Sequence, residues 1–169
     1  KCVIGFAGTG KSYLLGAAKE AWEASGYRVH GVTLAGIAAQ NLEGSSGIES
    51  RTLASRCWYW DRGEQLPGHK DILVVDEAGM LGSRQMARIL EVADQGNAKV
   101  VLVGDTQQLQ AIEAGAALRA IIERIGALEL TEIRRQRVPW QAEATKDFAR
   151  GHTAKALGAY ESSHLHVFE

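Results

Sequence analysis

Short apolar runs alternate along the chain with stretches in which apolar residues return every three or four positions, the pattern of strands and amphipathic helices in turn. Residues 2–4 read as a first strand, followed by a glycine-rich turn. A helix over 11–25 then carries Leu14, Ala18 and Trp22 on one face and stops at Gly26. A strand over 28–34, a short helix over 37–42, a Gly44-Ser45-Ser46-Gly47 loop and a helix over 51–60 follow. Residues 61–70 are polar with one proline and read as a surface loop. The run 71–75 predicts a strand buried on both faces. Ser83 caps a helix with Met86, Ile89, Leu90 and Ala93 on its apolar stripe, ended by Gly96. Then come a strand over 99–103, a helix over 115–125, a strand over 128–130, a helix from Pro139 to Gly151 and a strand-like stretch at 164–168. Such alternation predicts an α/β fold, a mainly parallel sheet with helices on both faces.

Composition narrows the classes. The 169 residues are 46% hydrophobic and 23% charged, which excludes a disordered tail, and no apolar run is long enough for a membrane helix. Nineteen Lys and Arg against twenty Asp and Glu leave a net charge of −1, so bulk charge gives no reason to expect a nucleic-acid partner. Two cysteines, Cys2 and Cys57, are too few for a disulfide framework or a zinc site and read as reduced thiols. The chain begins at Lys1, without methionine or signal peptide and almost at once inside a strand. It therefore reads as a piece of something longer.

Nineteen glycines raise the question of where they fall. Gly5-Phe6-Ala7-Gly8-Thr9-Gly10-Lys11-Ser12 fits the phosphate-binding pattern G-x-x-x-x-G-K-[ST], between a strand and a helix as that pattern requires. Backbone N–H groups of Gly5, Ala7, Gly8, Thr9 and Gly10 would cradle phosphate oxygens at the positive end of the helix. Lys11 would reach the β- and γ-phosphates of ATP, and the Ser12 hydroxyl would ligate Mg²⁺. The apolar strand 72–75 runs into Asp76-Glu77. Asp76 would hold Mg²⁺ through water, and Glu77 would polarise the attacking water. A third strand ends in Gly104-Asp105-Thr106-Gln107-Gln108-Leu109, where Gln108 is placed either to sense the γ-phosphate or in a solvated turn.

These segments, in this order and with Thr33-Leu34-Ala35-Gly36-Ile37-Ala38-Ala39, resemble superfamily 1 helicases of the RecD-like branch. The run from Gly104 to Leu109 is similar to that branch's G-D-x-x-Q-L motif. Leu130-Thr131-Glu132-Ile133-Arg134-Arg135-Gln136 resembles its L-x-x-x-x-R-Q motif, which implies a γ-phosphate contact for Arg135. Residues 36–44, 50–55 and 107–118, with Arg134-Arg135-Gln136 and Trp140, narrow the resemblance to the helicase part of TraA-type conjugative relaxases.

The resemblance implies a RecA-like ATPase domain over 1–127 and a truncated second one opening at 128–169. It implies ATP and Mg²⁺ as cofactors, with Lys11, Glu77, Gln108 and Arg135 catalytic. Single-stranded DNA and the rest of a parent polypeptide are the partners, in the bacterial cytoplasm. Movement would be 5′-to-3′, and the fragment alone would be nearly inactive because the rest of the cleft lies elsewhere. A RecD-type repair helicase subunit, or a helicase-like binding module without turnover, are the alternatives. Thr33, Gly36, Arg51 and Thr52 are the DNA contacts implied, although hydroxyls at these places also fit ordinary caps and turns. Trp58, Tyr59 and Trp60 suit base stacking, but core packing is favoured. The basic residues from Arg134 to Lys155 read as a solvated helix face, and His164 and His166 have no companion ligands for a metal.

Overall fold

The computed structural model describes residues 1–5, 10–105, 116–130, 139–149 and 152–162. Its elements are β1 (Cys2–Gly5), α1 (Lys11–Ala24), β2 (Arg28–Thr33), α2 (Gly36–Ser46), β3 (Ser50–Thr52), α3 (Leu53–Trp60) and β4 (Asp71–Val75). After a 3₁₀ turn at Ala78–Met80 come α4 (Ser83–Gln95), β5 (Lys99–Gly104), α5 (Ala116–Ile125), β6 (Leu128–Leu130), α6 (Pro139–Ala149) and α7 (Thr153–Ser162). The strands form one sheet in the order β3-β2-β4-β5-β1-β6, and every neighbouring pair is parallel. All the strands therefore end on the same edge, where open α/β sheets place their ligands.

β4 lies in the middle of the sheet, and the physical reason is its unbroken apolar run. Ile72 and Val74 join Leu15, Val29, Leu42 and Ile48 beneath α1 and α2. Leu73 and Val75 join Leu53, Trp60, Met86, Ile89 and Leu118 beneath α3, α4 and α5. Alternate residues of one strand thus feed both cores. At the opposite, N-terminal edge a buried carboxylate fixes the strand's start. Asp71 accepts from Arg28 Nε and Nη2, both at 2.8 Å, and from the Gly68 amide at 2.7 Å, with His30 Nε2 at 3.1 Å. Burial alone would raise the Asp71 pKa; the Gly68 amide, Arg28 and His30 outweigh it and hold it below the usual carboxylate value.

Several elements differ from their predicted form. The Gly44–Ser46 stretch, expected as loop, is the last turn of α2. The Ser45 and Ser46 hydroxyls donate back to the Asn41 and Leu42 carbonyls at 2.6 Å each, which lets polar residues sit in a helix. The start of the expected helix at 51 is instead the edge strand β3, and Thr52 caps α3 by accepting from the Ser55 amide at 3.2 Å. Leu15 rather than Leu14 is the buried leucine of α1, and in α4 Val92 replaces Leu90, which is exposed, on the buried stripe. Gly82, not Ser83, is the N-cap of α4. β6 lies past the domain boundary expected after residue 127. Leu128, Glu129 and Leu130 pair with Val3, Ile4 and Gly5, so the first sheet runs on through Leu130. α7 has no counterpart among the predicted elements; it packs on α6 through Trp140 and Tyr160, whose rings meet edge-on at 5.0 Å. The strand-like stretch at 164–168, with His164 and His166, lies outside the described residues. Among the described residues no helix is long and apolar enough to cross a membrane.

Candidate active site

Gly5 closes β1 and Lys11 opens α1, so the glycine-rich turn bridges a strand's C-terminal end and a helix N-terminus. Gly10 makes the final turn at φ 82°, a left-handed conformation that a side chain disfavours, and its carbonyl accepts the Leu14 amide at 2.9 Å. No acidic residue occupies the first turn of α1, so nothing local competes with an anion for the helix's positive end. Lys11 Nζ donates to the Gly5 carbonyl at 2.7 Å, holding the ammonium at the C-terminal end of β1. Ser12 is half-buried beside it. Ala7, Gly8 and Thr9 lie outside the described residues.

The acidic pair stands two strands away on the same edge. Asp76 is held by its amide, which donates to the Val32 carbonyl at 3.0 Å, and its Oδ1 accepts the Glu77 amide at 2.9 Å. Glu77 itself sits at φ +54°, a strained conformation for a residue with a side chain, and its carbonyl accepts the Met80 amide at 2.8 Å. Burial pushes the Asp76 pKa up, opposed by the Glu77 amide and by the charge of Lys11. Glu77 is pushed up by burial and then by the neighbouring Asp76. Lys11 and Asp76 are therefore close enough to feel each other, and Glu77 is more basic than a free glutamate.

A contact that sequence reasoning missed locks this edge together. A Cβ on Gly104 would lie 3.1 Å from Leu118 Cδ2 and 3.3 Å from the Gly79 amide nitrogen, and one on Gly79 would lie 3.3 Å from the Asp105 carbonyl. The turn after β4 and the end of β5 thus touch backbone to backbone. The only signal was a glycine beside each acidic motif, in Glu77-Ala78-Gly79 and in Gly104-Asp105. Gln108 and Arg135 lie outside the described residues.

The DNA candidates gather at the C-terminal ends of β2 and β3, where Thr33 lies opposite Thr52, but they are not all exposed. Thr33 is buried, 1% exposed, and its hydroxyl donates to the Ala35 carbonyl at 3.0 Å, so it shapes the turn. Gly36 is exposed at the start of α2. Arg51 faces Glu49 at 3.5 Å and lies 5.4 Å from the Tyr59 ring centre, while Thr52 serves as a cap. The aromatic cluster divides: Trp60 is in the core, but Trp58 is half-exposed with the Arg62 guanidinium 3.7 Å from its ring centre.

The donor set suits a hard divalent cation. Ser12 and Asp76 offer oxygen only, and burial disfavours the charge of the half-buried Asp76 carboxylate, which such a cation would offset. Among the described residues no three His, Cys, Asp or Glu side chains make a ready-formed metal cage. A cation here would share its coordination with phosphate oxygens, the manner of Mg²⁺.

Comparison with known families turns on this same stretch. The family model described as AAA domain matches residues 1–168. The chain belongs to this AAA-domain family. It is 51% identical over 161 residues to the conjugal transfer protein TraA of Agrobacterium fabrum, covering 95% of this chain and 15% of that protein. It is 34% identical over 138 residues to the ATP-dependent RecD2 DNA helicase of Deinococcus radiodurans, covering 79% of this chain and 19% of the relative. The crystal structure of Pif1 helicase from Candida albicans shares the fold at TM-score 0.64 and 21% identity, over 88% of this chain and 40% of that one. The AAA domain here is thus helicase-like and RecA-like in fold, and spans about 15% of the length of its TraA relatives.

Proposed function

We propose that the chain is the ATP-binding and ATP-hydrolysing motor domain of a DNA helicase, and that the helicase is part of a conjugative relaxase. The observation that carries this reading is the convergence of Lys11, Ser12, Asp76 and Glu77 on one edge of a parallel sheet, with the charge of Lys11 felt at Asp76. The likeness to TraA favours the relaxase setting over a repair helicase. The protein acts in the cytoplasm on this reading.

Each residue then has a task. The turn from Gly5 to Gly10 and the start of α1 bind the nucleotide's phosphates through backbone amides. Lys11 exchanges the Gly5 carbonyl for phosphate oxygens and neutralises charge as the γ-phosphoryl departs. Ser12 and Asp76 hold Mg²⁺, which supplies electrostatic stabilisation of the transferred group. Glu77, made more basic by burial, orients the attacking water and accepts its proton. Gln108 senses the γ-phosphate from the segment after β5, and Arg135 reaches it from the segment after β6. Residues beyond Leu130 begin a second RecA-like unit, ATP binds in the cleft between the units, and closing and opening of that cleft moves single-stranded DNA. Gly36, Arg51 and Thr52 are the candidate strand contacts, with Thr33 supporting the turn behind them.

A strand-displacement assay on the whole protein tests this. With ATP, a duplex bearing a 5′ single-stranded tail should be unwound and one bearing a 3′ tail should not. Binding of either tail without unwinding would favour a helicase-like binding module instead. An N-terminal nicking domain in the same polypeptide would separate relaxase from repair helicase.

A further inference from the structure

Away from the nucleotide edge, a cavity of about 330 Å³ opens between the first halves of β2 and β4, the edge strand β3 and helix α3. Its charged lining is Arg28, His30, Glu49, Arg51, Arg56 and Asp71. The ion pairs here leave one charge over. Arg28 engages Asp71 and Arg51 faces Glu49, but Arg56 has no ion-pair partner among the described residues. It is nevertheless only 5% exposed. Among the described residues its Nε and Nη2, together with His30 Nδ1, are the buried side-chain polar atoms that lack a hydrogen bond. Burial, followed by the charge of Arg51, disfavours the charged form of this guanidinium, against the smaller opposing pull of Glu49 and Asp71. A buried cation with open donors is a costly arrangement unless something completes it.

The chemistry of the missing partner can be read from the open atoms. Two guanidinium N–H groups in a fixed fork call for an oxyanion. His30 adds a second requirement. Asp71 is an ionised acceptor, so His30 Nε2 carries the proton of that contact, and a ring with no second proton offers the Nδ1 lone pair. An anion that also bears an O–H satisfies both. We infer that this cavity is a binding site for inorganic phosphate in its hydrogen-phosphate form, gripped by Arg56 and Arg51 and recognised through its P–OH by His30. Sulfate and phosphodiesters are anions of similar shape but have no proton to give to Nδ1. The site is separate from the glycine-rich turn, lying on the α3 side of the sheet near the strands' beginnings.

The test uses protein carrying Lys11→Ala, so that phosphate in the nucleotide cradle does not obscure the result. Thermal unfolding is followed while inorganic phosphate is titrated at constant ionic strength, with sulfate in parallel. Phosphate should raise the unfolding temperature in a saturable way and sulfate should not match it. Adding Arg56→Leu should weaken phosphate binding at least about tenfold, the loss expected when charge-assisted hydrogen bonds are removed. It should also leave the phosphate-free protein as stable as before or more so, since an unpaired buried charge is gone. Arg51→Gln, outside the core, should weaken phosphate binding in the same direction and serves if the leucine variant does not fold. A phosphate response unchanged by both substitutions, or equal responses to sulfate and phosphate, would overturn the assignment.

Discussion

Removing the Asp71 carboxylate should loosen the strand that leads into Asp76 and Glu77. In Asp71→Ala the Gly68 amide loses its acceptor in a buried site, which costs about 1–3 kcal/mol. His30 loses a partner at 3.1 Å, worth about 1 kcal/mol. The bidentate contact with Arg28 adds little, because the arginine side chain is 71% exposed and water replaces the carboxylate; about 0.5 kcal/mol is a fair value. Together these predict a loss of about 3 kcal/mol, or roughly 6–12 °C in unfolding temperature for a domain of this size. Asp71→Asn keeps one acceptor oxygen and should lose about half as much. The pH dependence has a definite sign. The folded-state pKa is depressed, so the unfolded chain binds the proton first, and the stabilisation is full above the unfolded value of about 3.9. It is lost as pH falls through the lower folded value. Urea unfolding from pH 7 to pH 3 should therefore show the wild type losing more stability than Asp71→Asn over the acid limb. A difference of under about 1 kcal/mol between wild type and Asp71→Ala at pH 7 would refute the account of this network.

Glu77→Gln should reduce ATP turnover by about 10²–10⁴-fold with nucleotide binding retained, as judged by steady-state rates beside a fluorescent-nucleotide titration. Gly104→Ala should destabilise by about 1–3 kcal/mol in denaturant titrations, because its Cβ meets the Gly79 backbone, which cannot move aside. The 169-residue chain alone should turn over ATP well below about 1 s⁻¹, a usual enzyme value, with or without single-stranded DNA. A faster rate would mean that the site is assembled without a second domain.

The strand and helix that flank the glycine-rich turn, and the acidic pair after β4, were legible in the sequence because they depend on local spacing. Gly5, Gly10, Lys11 and Ser12 must be close neighbours, and an apolar strand such as β4 has to end where Asp76 begins. The alternation of apolar runs likewise yielded the parallel sheet. What sequence could not reveal depends on partners far along the chain. Asp71 reads as a loop-end acid until Arg28 and His30 are seen beside it, 43 and 41 residues away. Arg56 looks like a solvated arginine on a helix, and only packing against the sheet makes it buried. β3 was hidden because an edge strand of Ser50, Arg51 and Thr52 carries no apolar alternation, and its last residue doubles as a helix cap. The sheet that β6 joins was hidden for a related reason. A three-residue strand announces its existence, but not which sheet it joins.

The central claim is that this edge of the sheet hydrolyses ATP to drive a DNA motor. Its most direct test is DNA-stimulated ATP hydrolysis by the whole protein, with wild type and Lys11→Ala compared at saturating single-stranded DNA. Lys11 donates to the Gly5 carbonyl at the end of β1 and its charge reaches Asp76, so on this account its removal takes away a preorganised cation where charge develops. The account predicts that DNA accelerates the wild-type rate and that Lys11→Ala lowers it by about 10²–10³-fold. Equal rates for the two proteins would contradict it.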